Sequence, residues 1–224
     1  NEATAKQQLG AIAEQLVGTE AGGAAANAVR GVRFLGGEAS FFGRVGDDAY
    51  GQLYVRSLQD LGVKSAVSAS PEHTGHAITY ITPDSERTFT VHLGAALTIQ
   101  PDDVSEAEIQ AAKILHLEAF QLEGPTELAV RQAISYAKAH GTLVSLDLAD
   151  AAHIERNHAR FHQIVADDVD ILFANETEAL EMAQVKTLPE AIDYLKTIAK
   201  RFAITRGPQG SIVFDGSDLI EIDA

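Results

Sequence analysis

Short apolar runs alternate with longer stretches of helical periodicity along most of this chain. Ala39–Val45 (ASFFGRV) reads as a short buried strand, and Ile114–Leu117 (ILHL), Leu143–Leu146, Asp170–Phe173 (DILF), Phe202–Thr205, Ser211–Phe214 and Leu219–Ile222 also read as strands. Helices are predicted over Ala5–Val17, Asn27–Phe34, Tyr50–Leu61, Thr126–Ala139, Glu176–Ala183 and Pro189–Lys200. Gly46–Asp47–Asp48 forms a turn and a cap for the Tyr50 helix, and Pro189 suits a helix start. Strands that alternate with helices predict a doubly wound α/β fold, with a mostly parallel sheet covered on both faces.

One segment breaks the alternation. Ala77–Thr82 (AITYIT) and Thr88–His92 (TFTVH) are β-rich, and Pro83–Asp84–Ser85–Glu86 between them is a turn signal. A β-hairpin inserted at 77–92 is too small to stand alone and has the size of a lid. No repeat, linker or low-complexity tract divides the chain, so residues 1–224 are expected to form one α/β domain. The last strand, Leu219–Ile222, has no helix after it and Asn1 is not an initiator Met, so the fold is expected to extend beyond both ends.

Composition narrows the function classes. The 224 residues include 17 Lys and Arg against 32 Asp and Glu, a net charge of −15. That balance disfavours duplex nucleic acid and anionic membrane as partners. Hydrophobic residues at 46% and charged residues at 22% are globular values. There is no cysteine, which rules out disulfides, thiol catalysis and thiolate-bound zinc and leads to the expectation of a reducing, cytoplasmic setting. No apolar run approaches the roughly 18 residues of a membrane span. The segment NEATAKQQLG has neither the basic region nor the apolar core of a signal peptide.

Ligands of open α/β sheets bind at the carboxyl ends of strands, which singles out four places. In Ala21–Asn27 (AGGAAAN), Gly22 and Gly23 let backbone approach a ligand and Asn27 can both donate and accept hydrogen bonds, although a tight turn before a packed helix explains the loop equally well. Asn175–Glu176–Thr177–Glu178 puts an amide and two carboxylates at a helix start. Either they cap the helix, or a carboxylate there holds Mg²⁺ directly or through water. Thr205–Gly210 (TRGPQG) is a hairpin turn or a glycine turn against a nucleotide. Glu118 follows an apolar strand and faces either solvent or a polar substrate. His158 and His162 share a helix face with His153 nearby, and a solvated face outweighs a metal site. Neither G-x-G-x-x-G nor G-x-x-x-x-G-K-[ST] occurs, so a nicotinamide-binding sheet and a P-loop are both disfavoured.

Taken in order, these loops resemble the ribokinase-like (PfkB) family of sugar and nucleoside kinases. The resemblance rests on Gly22-Gly23-Ala24-Ala25-Ala26-Asn27, then Gly43-Arg44-Val45-Gly46-Asp47-Asp48-Ala49-Tyr50-Gly51, then the hairpin closed by Gly94-Ala95-Ala96, then Asn175–Glu178, then Thr205–Gly210. Thr82–Leu97 and the stretch from Ser145 (SLDLADAAHIERNHARF) through NETEA are most similar to bacterial adenosine-kinase-like members. The resemblance implies a ribokinase-like fold and ATP-dependent phosphorylation of a primary hydroxyl on an adenosine-like nucleoside or a sugar. It also implies roles by position. Gly22, Gly23, Asn27 and Glu118 would bind the substrate, with Tyr80 or Phe89 of the lid beside it. Asn175, Thr205, Gly207 and Gly210 would line the nucleotide site, Glu178 would serve Mg²⁺, and the lid could pair two copies into a homodimer. The family's catalytic Asp, in a D-T-x-G-A-G-D motif, is not found in these 224 residues and is expected beyond Ala224. The opening strand with its substrate-binding Asp is expected before Asn1. The alternative is a non-catalytic or truncated relative that binds nucleoside or sugar without turning it over.

Overall fold

The computed structural model describes residues 17–82 and 87–224, which form two compact units, one within Asn1–Asp103 and one within Val104–Ala224. Apart from Val17, the helix expected over Ala5–Val17 lies outside the described residues, as does the turn Pro83–Glu86.

In the first unit, α1 (Ala24–Phe34) leaves the glycine loop, and β1 (Ser40–Gly46), α2 (Ala49–Asp60) and β2 (Lys64–Ser70) follow. Because a helix separates them, β1 and β2 pair in parallel, from Ser40↔Lys64 to Gly46↔Ser70. Only Val45 and Gly46 of β1 are buried, so the expectation of a buried strand holds only at its carboxyl end, consistent with a two-stranded sheet. β2 was not anticipated from the sequence. β3 (His76–Ile81) and β4 (Arg87–His92) pair antiparallel from His76↔His92 to Ile81↔Arg87. They form a separate hairpin on which Tyr80 and Phe89 are exposed.

A knot of hydrogen bonds joins the end of β1, the start of α2 and the loop between β2 and β3. Asp48 caps α2 by accepting from the Gly51 amide at 2.8 Å. The same carboxylate accepts from the Thr74 amide at 2.9 Å and the Thr74 hydroxyl at 2.7 Å. The Gly46 amide in turn donates to Thr74 Oγ1 at 2.9 Å. A Cβ on Gly51 would stand 2.1 Å from the Gly46 carbonyl oxygen, so this position admits only glycine. Burial alone would push the Asp48 carboxyl up. The amides of Thr74 and Gly51, the Thr74 hydroxyl and His73 outweigh that and bring it down to about 2.

In the second unit, α3 (Glu106–Ala111) precedes β5 (Ile114–Glu118), α4 (Glu127–His140), β6 (Leu143–Asp147), α5 (Ala151–Asp168), β7 (Ile171–Asn175), α6 (Glu176–Ala183), α7 (Leu188–Ile198), β8 (Phe202–Thr205), β9 (Ser211–Phe214) and β10 (Leu219–Ile222). They build one six-stranded sheet in the order β10-β9-β8-β7-β6-β5. Helical crossovers make β5 through β8 parallel, and the tight turns at Gly207–Gln209 and after Phe214 make β9 and β10 antiparallel. α4 shows why these helices form. Ala129, Val130, Ala133, Ile134 and Ala137 recur at helical spacing and are all buried, and the helix stops at Gly141, whose φ is 74°.

Strand alternation gives the sheet two unlike faces. Leu115, Leu117, Val144, Leu146, Leu172, Ala174, Phe202 and Ile204 share one face in register, and all are buried. Each large side chain there contributes about 1.5–3 kcal/mol by leaving water. The other face carries His116, Ser145 and Phe173 and, towards the carboxyl ends, Glu118, Asp147, Asn175 and Thr205.

The expectation of a solvated histidine face on α5 is corrected. His153 is 2% exposed, with the rings of Phe120 and Phe161 at 5.2 and 5.1 Å. His158 Nε2 lies 2.9 Å from the Met182 carbonyl oxygen, and the His162 ring lies 6.1 Å from that of Tyr194, tilted by 55°. Hydrogen bonds and aromatic neighbours therefore hold these rings against the protein. Among the described residues no group of three or more His, Cys, Asp or Glu side chains stands ready to hold a metal ion, and no helix is long and apolar enough to cross a membrane.

Candidate active site

The carboxyl edge of the six-stranded sheet gathers the polar chemistry of the second unit. Glu118 at the end of β5 is the register partner of Asp147 at the end of β6, and Asn175 is the partner of Thr205. Asp147 pairs with Phe173, so Asn175 and Thr205 lie two residues, about 7 Å, further along the strands. All four occupy the same face because strand side chains alternate.

Glu118 sits where charge is disfavoured. It is partly buried, and its Oε1 is shielded from water with no hydrogen-bond partner. Burial pushes its carboxyl up, and the charge of Asp147 adds to the effect, to about 7. Beneath it, His116 Nδ1 lies 2.9 Å from the Ser145 hydroxyl. Burial lowers the His116 imidazolium, against the opposing pull of Asp147. A buried acid beside a second carboxylate at a strand end is an arrangement that polar substrates use.

Asn175 and Glu178 form a reciprocal cap on α6. The Glu178 amide donates to Asn175 Oδ1 at 2.9 Å, and Glu178 accepts from the Asn175 amide at 2.8 Å and from Asn175 Nδ2 at 2.7 Å. The capping reading of this motif is therefore realised in the geometry. Glu178 is only 5% exposed. Burial raises its carboxyl, the Asn175 amide offsets part of that, and Asp147 and Asp150 raise it further.

Asp147 and Asp150 were missed by sequence reasoning. Asp147 Oδ1 accepts from the Ala149 amide at 3.0 Å, and Asp150 caps α5 through the His153 amide at 2.8 Å. Ala149 between them adopts φ 63°, a conformation that strains a non-glycine residue. The available signal was the alternation Ser145-Leu146-Asp147, which puts an acid on the polar face at the strand end.

The turn Gly207–Gln209 follows Thr205, and nothing within 4 Å opposes a Cβ at Gly207. At Gly210 a Cβ would stand 1.9 Å from the Ile222 carbonyl oxygen, so that glycine serves the close approach of β10. In the first unit, Gly23 caps α1 with φ 107° and its carbonyl accepts from the Asn27 amide at 2.9 Å. Gly22 has open space around it, and the exposed Asn27 Oδ1 accepts from Arg30 at 3.2 Å.

Comparison with known proteins agrees with this architecture. The family model described as pfkB family carbohydrate kinase matches residues 3–224. The 5-dehydro-2-deoxygluconokinase of Geobacillus kaustophilus is 29% identical over 210 residues, covering 86% of this chain and 62% of that protein. Fructokinase-1 of Zea mays is 29% identical over 199 residues, covering 84% and 62%. The crystal structure of adenosine kinase from Sinorhizobium meliloti superposes with a TM-score of 0.85 at 29% identity, covering 91% of this chain and 63% of that one. The chain thus spans about three-fifths of the length of these relatives. With the α/β ribokinase-like fold and a match over nearly its whole length, the chain belongs to the pfkB family of carbohydrate kinases.

Proposed function

We propose that the protein transfers the γ-phosphate of ATP to a primary hydroxyl of an adenosine-like nucleoside or a sugar. The observation that supports this most is the row Glu118, Asp147, Asn175 and Thr205 on one face of the sheet, with Glu178 directly behind it. Glu118, with a buried oxygen that has no partner, is suited to a substrate hydroxyl. Asn175, Thr205, Gly207 and Gly210 are assigned to the nucleotide. Asp147 is a hard oxygen donor of the kind that holds Mg²⁺, and Glu178, both of whose oxygens are engaged by Asn175, would serve the ion through water; the ion would neutralise charge on the phosphoryl group in transfer. By the family resemblance, Gly22, Gly23 and Asn27 of the first unit are candidates for sugar-hydroxyl contacts, and the hairpin within residues 77–92 is a candidate lid. The exposed strands of the hairpin also suit pairing with a second copy. The base for the acceptor hydroxyl is assigned to the aspartate that the family resemblance implies, and activity is tested on the full-length protein.

The test is coupled ADP release by full-length protein with Mg²⁺-ATP and adenosine, ribose, fructose or 5-dehydro-2-deoxygluconate. Release that depends on one of these acceptors is expected. Binding without release from any of them would overturn the kinase reading in favour of a non-catalytic binder. In the same assay Glu178→Gln is expected to raise the Mg²⁺ needed for half-maximal turnover several-fold. An unchanged Mg²⁺ dependence would leave Glu178 as a helix cap alone.

A further inference from the structure

Two loops carry the acids of the polar face. One follows β5 and begins at Glu118; the other follows β6 and runs from Asp147 to Asp150. The first continues as two short 3₁₀ turns, Ala119–Leu122 and Gly124–Thr126, closed by the Thr126 hydroxyl donating to the Gln121 carbonyl at 2.8 Å. The Glu118 amide donates to Gln121 Oε1 at 3.2 Å, so Glu118 is tied to the same turn.

Glu123 joins this turn to the start of α5. Its Oε2 lies 3.1 Å from His153 Nδ1, and its Oε1 accepts from Asn157 Nδ2 at 3.2 Å. The other nitrogen of His153 lies 3.2 Å from the Ala119 carbonyl oxygen, so the buried ring grips the turn at both ends. Asn157 also donates to the His153 carbonyl at 3.2 Å and leaves the helical conformation, at φ −127° and ψ 21°. The helix is kinked there, which marks off its first two turns as the part fastened to the β5 loop. Asp150, which caps those turns, and Asp147, three residues before it, belong to the same assembly.

We propose that Glu123, through His153 and Asn157, is a positioning residue that fixes Glu118 against Asp147 and so sets the affinity for the phosphoryl acceptor. Glu123 itself is 47% exposed at its side chain and contributes little to the core. Its two side-chain contacts, to His153 and Asn157, are therefore out of proportion to its burial. The consequence for acceptor binding rests on the assignment of Glu118 to the acceptor; the positional consequence does not.

The experiment compares full-length wild type, Glu123→Ala and a control, His158→Gln, which removes a different α5 contact, that to Met182. Two readouts are taken. The first is hydrogen exchange of the Glu118 backbone amide. That amide is held by Gln121 Oε1, and loosening the turn releases it, so its exchange is expected to speed up about tenfold in Glu123→Ala and to stay put in His158→Gln. The second is steady-state kinetics. Glu123→Ala is expected to raise KM for the acceptor about tenfold with KM for ATP unchanged, while His158→Gln alters neither. A Glu118 exchange rate in Glu123→Ala equal to wild type overturns the positioning role, whatever the activity. Faster exchange in a protein that phosphorylates no acceptor upholds that role and instead removes the kinase assignment.

Discussion

Glu118→Gln is expected to make the protein more stable at pH 8 and worse at using its acceptor. An ordinary glutamate loses its proton near pH 4.3, whereas Glu118 holds its proton to about 7. Between those values the folded state binds more protons than the unfolded one, so stability falls as pH rises through this window. By pH 8 the carboxylate is charged in a place that disfavours charge, at a cost of up to about 3 kcal/mol. Glutamine has the same shape and no charge, and it removes that cost. Thermal melts should therefore show the variant above wild type at pH 8 and the two converging below about pH 5. A gap that is independent of pH would contradict the assignment. The same substitution should lower kcat/KM for the acceptor at least tenfold, about 1.4 kcal/mol of transition-state stabilisation. Stability traded against activity at one residue marks a functional position rather than a packing one.

The second large effect belongs to Asp48. Removing its carboxylate in Asp48→Ala strands the Thr74 amide, the Thr74 hydroxyl and the Gly51 amide, all part-buried. A loss of about 3 kcal/mol is expected, read as a fall in the urea midpoint with an unchanged slope. Gly51→Ala should be at least as damaging, because its Cβ meets the Gly46 carbonyl oxygen. The exposed neighbour Asp47 provides the comparison, and Asp47→Ala should stay within about 0.5 kcal/mol of wild type. The folded Asp48 carboxyl lies at about 2, below its ordinary value. Its contribution is therefore complete above about pH 4 and disappears as acid takes the pH down through 2, removing about 2 kcal/mol. Wild type and Asp48→Ala should accordingly converge in stability at low pH. A difference that persists unchanged at pH 2 would show that the charge is not what holds the knot.

Asp48 also shows how the sequence can be read correctly for order and incompletely for cause. The run Gly43–Gly51 resembles a family motif, yet Gly46, Asp48 and Gly51 within it also have a structural cause, the turn that they build with Thr74. Strands flanked by glycine turns, such as Phe202–Thr205 and Ser211–Phe214, were legible to the residue, as was α6 with its Asn175 cap. β2 was not. Its sequence, Lys-Ser-Ala-Val-Ser-Ala-Ser, offers one β-branched apolar residue, and pairing with β1 rather than intrinsic preference makes it a strand. Glu118, Asn175, Glu178 and Thr205 could be picked out because each ends an apolar strand or opens a helix. Asp147 belongs with them by register, a relation between chain segments far apart in sequence. The burial of His153 has the same origin, since Ala119, Phe120 and Glu123 reach it from another loop.

β7 ends at Asn175 and α6 begins at Glu176, with no residue between strand and helix. Asn175 is at once the last rung of the sheet, paired with Thr205, and the cap of the helix. A single inserted residue would have to break either that rung or the cap, and would also rotate the acids of α6 by about 100° around the helix. Natural variants of this protein should therefore differ in length at the surface turns, such as the one after Phe214, and never at this junction. A library of single-codon insertions scored for soluble folded protein would expose the contrast.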